Sequence, residues 1–332
     1  MTNAVVILNW NGKSWLEKFL PNVVQYSSEA EIWVIDNDST DGSVEYLRNH
    51  FPKVQQVCND SNLGFAGGYN EGLKSITADN YILLNSDIEV TEGWLTPALE
   101  VLNSADDIVC VQPKILAFDR KDYFEHAGAG GGMMDKWCYP LCRGRIFDLT
   151  EKDENQYEAS EIFWASGACL FIKAKAFHNQ GGFDADFFAH MEEIDLCWRL
   201  KNEGKRVIYC PDSVVYHVGG GTLNYQSPRK TFLNFRNSLF AIHKNYGGFT
   251  FGIIMLRLWL DGIAGFKFLL GGKLTHIWAI IKAHFSYYAH LGRMQKKRKK
   301  LKQVKYSQLT GSLRKSIVVE YYLKGGKKYS QL

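Results

Sequence analysis

AVVILNW (4–10), EIWVID (31–36), VQQVCN (54–59) and YILLNSD (81–87) are short β-rich runs, each followed by an amphipathic stretch. The helical periodicity covers 13–26, restarts near Asp41 with Thr40 or Asp41 as cap, then covers 64–76 and about 92–103. DIVCVQPKI (107–115) supplies a fifth strand. Apolar strands alternating with helices of about 10–15 residues predict βαβ units. The expected fold is α/β, a Rossmann-like, mostly parallel sheet flanked by helices. In such sheets ligands bind beyond the carboxyl ends of the strands.

Polar residues collect at those ends: Asn9 and Asn11, then Asp36, Asn37 and Asp38, then Asn85, Ser86 and Asp87. Each set alone is ordinary turn chemistry. Three sets on one edge predict a nucleotide site. The loop SNLGFAGGYNEG (61–72) adds Gly64, Gly67 and Gly68 before a helix, which lets the backbone approach a phosphate or ribose. Its spacing is not G-x-G-x-x-G, so dinucleotide binding is not supported.

The 332 residues are 46% hydrophobic and 22% charged, which excludes a disordered chain, a collagen and a disulfide-rich miniprotein. The net charge of +4 averages two unlike parts. Residues 1–228 carry 18 Lys+Arg against 33 Asp+Glu, whereas residues 229–332 carry 21 against 2, Asp261 and Glu320. An acidic body with a basic arm points to a polyanionic partner, a membrane surface or a nucleic acid. The arm opens with FTFGIIMLRLWLDGIAGFKFLLGG (249–272). There Arg257, Asp261 and Lys267 fall within about 120° of arc and leave Ile253, Ile254, Leu256, Trp259, Leu260 and Ile263 as an apolar face. LTHIWAIIKAHFSYYAHLG (274–292) and then KKRKK (296–300) follow, a pattern expected to lie on an anionic leaflet. The alternative is a helix packed on the body beside a solvated charge run.

No apolar run reaches 18 residues, so no spanning helix is expected. MTNAVVILNWNG has no basic leader before its apolar run, so no secretory signal is expected either. Seven scattered cysteines read as reduced, mostly buried thiols; Cys138 and Cys142 lack the second pair that a zinc site needs. A cytoplasmic chain, peripheral on the inner face of the cell membrane, is the expectation.

Seven motifs in order carry a resemblance: ILNWNG, VIDNDSTDGS, NLGFAGGYNEG, LLNSDIEV, ASGACLFIK, GGFDADFFAHMEEIDLCWRL and VVYHVGGGT. Over residues 3–245 the chain resembles family 2 glycosyltransferases, in particular the bacterial rhamnosyltransferase-like branch. The resemblance implies a GT-A catalytic domain over 1–245 and leaves 246–332 as a helical basic extension. It also implies a nucleotide-diphospho-sugar donor, a divalent metal (Mg²⁺ or Mn²⁺) and inversion at the anomeric carbon. By that resemblance Asp36 contacts the nucleobase and Asn9 and Asn11 line the same pocket. Asn62, Gly68 and Asn70 seat ribose and phosphate.

Asp87 matches the metal-binding acid of a DxD-type motif in which Asn85 replaces the first Asp, with Ser86 between them. His217 is either a further metal ligand or a structural histidine. Glu193 stands where the family has its general base, with Glu instead of Asp. Glu192, Ser166 and Gly167 border the acceptor side, where Trp164 either stacks on a sugar or belongs to the core. Arg199 either meets the donor diphosphate or pairs with Asp195 at i, i+4.

The function these residues imply is inverting transfer from dTDP-rhamnose or a UDP-hexose to a saccharide, polyprenyl-diphosphate-linked, in cell-surface polysaccharide synthesis. Two other readings stand beside it: a non-catalytic nucleotide-sugar-binding module, and a nucleic-acid-binding protein using the basic arm. The arm has no nucleic-acid recognition motif and no stacking platform, so no nucleic-acid partner is expected.

Overall fold

The computed structural model describes residues 1–219 and 227–332. The Gly220–Thr222 end of the VVYHVGGGT motif lies outside the described residues. The first half runs β1 (Asn3–Asn9), α1 (Lys13–Tyr26), β2 (Glu31–Asp36), α2 (Ser43–His50), β3 (Gln55–Cys58), α3 (Gly64–Gly72), β4 (Asn80–Asn85), β5 (Ile88–Val90), α4 (Leu95–Asn103) and β6 (Ile108–Ala117). A small four-stranded antiparallel sheet follows: β7 (Gly132–Met134), β8 (Pro140–Cys142), β9 (Arg145–Ile146) and β10 (Leu149–Thr150).

The chain then returns through β11 (Ser160–Glu161), β12 (Cys169–Lys173), α5 (Ala174–Asn179), α6 (Glu192–Asn202) and β13 (Arg206–His217). It ends in helices α7 (Pro228–Asn245), α8 (Thr250–Leu270), α9 (Leu274–Ala289), α10 (Leu291–Lys300) and α11 (Ile317–Tyr322).

The main sheet has the order β11-β13-β6-β12-β4-β1-β2-β3, with β5 paired to β13. Strands β4, β1, β2 and β3 are all parallel, as the alternation of strand and helix dictates. Beyond β4 the sheet turns mixed: β12 is antiparallel to both β4 and β6, and β13 is parallel to β6. The insertion between β6 and β12 brings the chain back from the opposite end, which reverses that strand.

Side chains alternate across the sheet with the two-residue period of a strand. Ala4, Val6, Tyr81 and Leu83 pack under α3 with Ala66, Tyr69 and Leu73, while Val5, Ile7, Ile82 and Leu84 meet α1 and α4 through Leu16, Leu20, Leu95 and Ala98. Because both faces are covered, these strands read as nearly continuous apolar runs. All the described cysteines are free, and all but Cys58 are buried.

Past Asn245 the chain continues to pack on the body. Val304 N donates to Asn202 Oδ1 at 3.1 Å, and the Tyr306 hydroxyl donates to the Asp135 carbonyl at 2.6 Å. Helix α8 corrects one expectation. Its apolar set is split, with Ile253, Ile254 and Leu260 buried and Trp259 and Ile263 exposed. Arg257 and Asp261, expected on the outward polar side, are buried instead. The reason is a set of partners, on the body for Arg257 and on α9 for Asp261. Arg257 donates to the Cys138 carbonyl and to Ser238 Oγ, both at 2.7 Å, and Asp261 lies 3.1 Å from His284 Nε2.

Candidate active site

The carboxyl ends of β1, β2 and β4 stand side by side, with Asn9 in register with Asp36 and Leu8 with Asn85. Asn9 Nδ2 donates to Asp36 Oδ2 at 3.0 Å and to Ser39 Oγ at 3.2 Å. The Ser39 amide donates to Asp36 Oδ1, and the Asn11 amide to Ser39 Oγ, both at 2.8 Å. The loops after β1 and β2 are therefore knitted into one rim, and Asn9 Oδ1 is left buried without a partner among the described residues. An enclosed, unused acceptor in a ligand cleft is a place for a donor group of a ligand.

Asn62 holds the glycine-rich loop. Its Oδ1 accepts from the Gly64 amide at 2.9 Å and from Asn37 Nδ2 at 3.0 Å. Asn59 Nδ2 completes the knot on Asn37 Oδ1 at 3.1 Å. Gly68 lies where a methyl group would stand 2.9 Å from Leu8 Cδ1 and 3.1 Å from the Asn37 amide, so α3 approaches the strand ends closely. Gly64 has φ +71° and faces the Phe188 ring at a distance no Cβ would allow.

At the end of β4, the Asn85 amide donates to the Ala168 carbonyl at 2.9 Å, joining the Asn85-Ser86-Asp87 segment to Ser166-Gly167-Ala168. Asp87 is carried to His217 by strand pairing. Ile88 is opposite His217 across β5 and β13, and the Val218 amide donates to the Asp87 carbonyl at 3.1 Å. His217 Nε2 is 3.3 Å from Asp87 Oδ1, and its Nδ1 is 3.2 Å from Glu125 Oε2. Burial favours the neutral ring, but the carboxylates of Glu125 and Asp87 override it and raise the His217 pKa to about 10. Burial likewise opposes ionisation of Glu125, yet His217 beside it holds its pKa down to about 2.

The Asp87 carboxylate suits a divalent cation, and His217 beside it would join as a ligand only on giving up the proton that Asp87 and Glu125 hold on its ring. Among the described residues no third His, Cys, Asp or Glu joins them around one position.

Helix α6 brings the carboxylates. The loop before it is unusual, since Phe188, His190 and Met191 all have positive φ, at 65°, 68° and 74°. The Phe188 carbonyl accepts from the Phe65 and Ala66 amides at 2.7 and 3.2 Å, tying this loop to the start of α3. From the other side Asn237, wholly buried on α7, donates through Nδ2 to the carbonyls of Phe187, Ala189 and His190 at 2.9, 2.9 and 2.8 Å. So held, α6 presents Glu192 and Glu193 with Oε2 of each enclosed and without a partner among the described residues. Burial raises the pKa of Glu193 to about 7, and burial together with Glu193 raises that of Glu192 well above the carboxylate range. A methyl at Gly167 would stand 3.8 Å from Glu193 Cβ and 3.3 Å from Phe65 Cζ, so Glu193 lies beside the segment joined to Asn85.

Other candidates are committed to the scaffold. Arg199 donates from Nε to Asp195 at 2.8 Å, from Nη1 to the Gln180 carbonyl at 2.8 Å and from Nη2 to the Gly182 carbonyl at 2.9 Å, so protein groups occupy its fork where a diphosphate was expected. Asn70 exchanges both its amide groups with the Phe183 backbone, at 2.7 and 2.9 Å. Trp164 is buried against Gly132, with Nε1 donating to the Met133 carbonyl at 2.9 Å, which is the core alternative for this ring. Ser166 Oγ donates to the Ala127 carbonyl at 2.9 Å.

Sequence reading missed Glu125, Asn59 and Asn237. Asn237 had a signal, because with Lys244 it forms a seven-residue polar spacing on a helix whose Leu233, Phe240 and Ala241 are buried. Polar residues on an apolar face need buried partners.

The polar strand ends, the Asp87–His217 pair and the unpartnered Glu193 carboxyl thus stand on one side of the α/β sheet. Residues 4–180 fit the family model for glycosyl transferase family 2.

The chain belongs to that family.

It is therefore a glycosyltransferase. It is 26% identical over 231 residues, 64% of this chain and 75% of the other, to the N-acetylglucosaminyl-diphospho-decaprenol L-rhamnosyltransferase of Mycobacterium tuberculosis. It is 34% identical over 217 residues, 62% of this chain and 80% of the other, to the rhamnosyltransferase WbbL of Escherichia coli K12. These place it in the rhamnosyltransferase-like branch of family 2. The fold is GT-A, shared with the crystal structure of GalNAc-T7 with UDP, GalNAc and Mn²⁺ (TM-score 0.56, 18% identity, 74% of this chain and 48% of that one). It is shared too with a Pyrobaculum calidifontis mannosyltransferase in complex with GDP-Man and Mn²⁺ (TM-score 0.52, 16% identity, 87% of this chain and 75% of that one).

Proposed function

We propose that this family 2 glycosyltransferase inverts the anomeric centre as it moves a sugar from a nucleotide diphosphate to a polyprenyl-diphosphate-linked saccharide, in cell-surface polysaccharide synthesis at the inner face of the membrane. The observation that carries the reading is Glu193, a residue beside the segment tied to Asn85 whose carboxyl keeps an unpartnered oxygen and a pKa raised to about 7. A base whose pKa lies near the working pH combines availability with driving force. Glu193 takes the proton of the acceptor hydroxyl. That oxygen forms its bond to the anomeric carbon as the bond to the diphosphate breaks, and the electron pair leaves with the nucleoside diphosphate. Glu192 and Gly167 flank the acceptor.

Asn9, Asn11, Asp36 and Asn62 shape the base and ribose end of the donor, with Asn85 and Ser86 nearer the phosphates. Asp87 and His217 would hold the Mg²⁺ or Mn²⁺, which supplies neutralising charge for the leaving diphosphate when bound. Support for a metal and a nucleotide-sugar comes from the two GT-A structures with Mn²⁺, one with UDP and one with GDP-Man. Support for rhamnose as the sugar moved comes from the names of both relatives, and support for a polyprenyl-linked acceptor from the decaprenol in the name of the mycobacterial one.

The test is donor-dependent transfer, read as nucleoside diphosphate release. Glu193→Gln is expected to abolish it while donor binding persists, and an active variant would remove Glu193 from the base role. Asp87→Ala is expected to lose Mn²⁺-dependent donor binding, and an unchanged metal titration would count against that assignment.

A further inference from the structure

Helices α8 and α9 form a hairpin through Gly271, Gly272 and Lys273, and their faces are sorted the reverse of a water-facing helix. On α8, Phe251, Met255, Trp259, Ile263, Phe266 and Leu270 recur at spacings of three and four, and all are exposed, Trp259 by 64% and Leu270 by 75%. On α9, Leu274, Trp278, Ile281, Phe285 and Tyr288 form a second exposed stripe of the same spacing. Contiguous apolar surface on this scale marks an interaction site. Two of the three charges of α8, Arg257 and Asp261, are locked inward: the guanidinium of Arg257 sits 3.7 Å over Tyr139 in addition to its bonds to Cys138 and Ser238. Rotating α8 to hide the stripe would strip a buried cation of its partners, a costlier state than the one observed.

We propose that this hairpin is a monotopic docking face, its apolar stripes set shallowly into one leaflet of an anionic bilayer. Charge selects lipid over a second copy of the chain. From residue 249 onward the acids are Asp261 and Glu320, both buried, so no exposed carboxylate of the arm opposes lipid phosphates. Exposed Lys267, Lys273 and Lys282 stand beside the stripes, and two such basic rims would repel each other across a dimer. A Trp on each helix suits the interfacial depth. Among the described residues no helix is long and apolar enough to cross a membrane, so the face lies in one leaflet.

Attachment is hydrophobic first, because part of the polybasic run is spent on the body. Lys297 pairs with Asp186 at 2.6 Å, and Arg298 donates to the His243 carbonyl at 3.0 Å. The proposal rests on the lipid-linked acceptor reading for its purpose, not for its chemistry.

Co-sedimentation of the full chain with phosphatidylcholine vesicles, with and without phosphatidylglycerol, tests it. Binding to the mixed vesicles is expected to survive about 1 M salt, where charge is screened beyond ~3 Å. The double variant Trp259→Glu/Trp278→Glu, at exposed positions, is expected to keep the wild-type melting temperature and lose about tenfold or more in vesicle affinity. Lys296→Gln/Lys299→Gln/Lys300→Gln is expected to weaken only low-salt binding. Complete release by salt, or wild-type binding by the Trp variant, would overturn the proposal. So would a dimer in vesicle-free solution that the Trp variant breaks, which would give the face to a second copy. Glu193→Gln is expected to bind vesicles as the wild type does, so a failure of the catalytic reading shows separately.

Discussion

The two ends of the first turn of α6 carry carboxyl groups in opposite circumstances. At its inner end Asp195 is saturated, receiving Arg199 Nε at 2.8 Å, Lys244 Nζ at 2.9 Å and Asn245 Nδ2 at 2.7 Å. At its start Glu192 and Glu193 each keep an enclosed oxygen with no partner among the described residues. A buried acid with all its hydrogen bonds made fastens structure, whereas one left unmade is held ready for a proton. The contrast separates scaffold from chemistry within four residues, and it can be broken at either end.

The largest effect is expected at Glu193. Glu193→Gln should cost ~10²–10⁴-fold or more in turnover. The wild-type rate should fall as pH drops below about 7, where the carboxyl takes up its proton, and level off above. Stability should move the other way. An unfolded glutamate releases its proton near 4.5 and the folded one near 7, so the folded state loses stability as pH rises between those values. Thermal melts should therefore show Glu193→Gln more stable than the wild type at pH 8 and equal to it at pH 4. A variant no more stable at pH 8 would mean that folding does not raise the pKa of this carboxyl.

Asp195→Ala should do the reverse, costing about 3–5 kcal/mol in denaturant unfolding because it leaves Lys244 and Arg199 short of a counter-charge. Asn237→Ala sits between the two regions. With three carbonyls of the 187–190 loop released, a loss of ~1–3 kcal/mol is expected. Transfer should fall in kcat with donor KM nearly unchanged, and the acid limb of the pH profile should shift as Glu193 loses its fixed place. A stability loss with kcat and the pH profile intact would make Asn237 merely structural. The smallest effect belongs to Lys297→Gln, a partly exposed pair to Asp184 and Asp186 that should cost at most about 1 kcal/mol and fade with salt.

Much of the donor side is legible from the chain alone. Strand-like runs ending in Asn9, Asp36 and Asn85 predict a common edge because parallel βαβ units leave their carboxyl ends together, and the register puts those residues together. Helix α2 shows the limit of such reading. Gly42, in the left-handed region, occupies the cap position, and Asp41 reaches in from outside it to the Ser43 amide at 3.1 Å. Glu125 was invisible in sequence because its partner His217 lies 92 positions on; β13 brings His217 beside β6, and the Glu125 amide, donating to the Ile115 carbonyl at 3.1 Å, folds its segment back onto that strand.

What the sequence determined by itself is whatever neighbouring residues decide: the βαβ alternation, the polar strand ends, the acidic body and basic arm, and the two-sidedness of α8. Only the tertiary structure decided what each side of those elements meets. Asp195 was emptied of chemistry by Lys244 and Asn245, some 50 residues away, and α8 was turned charges-inward by carbonyls and a tyrosine ring near residue 138. Periodicity specifies that a helix has two faces. Which face is buried depends on where compensating partners stand, because a buried charge is tolerated only where its hydrogen bonds are met.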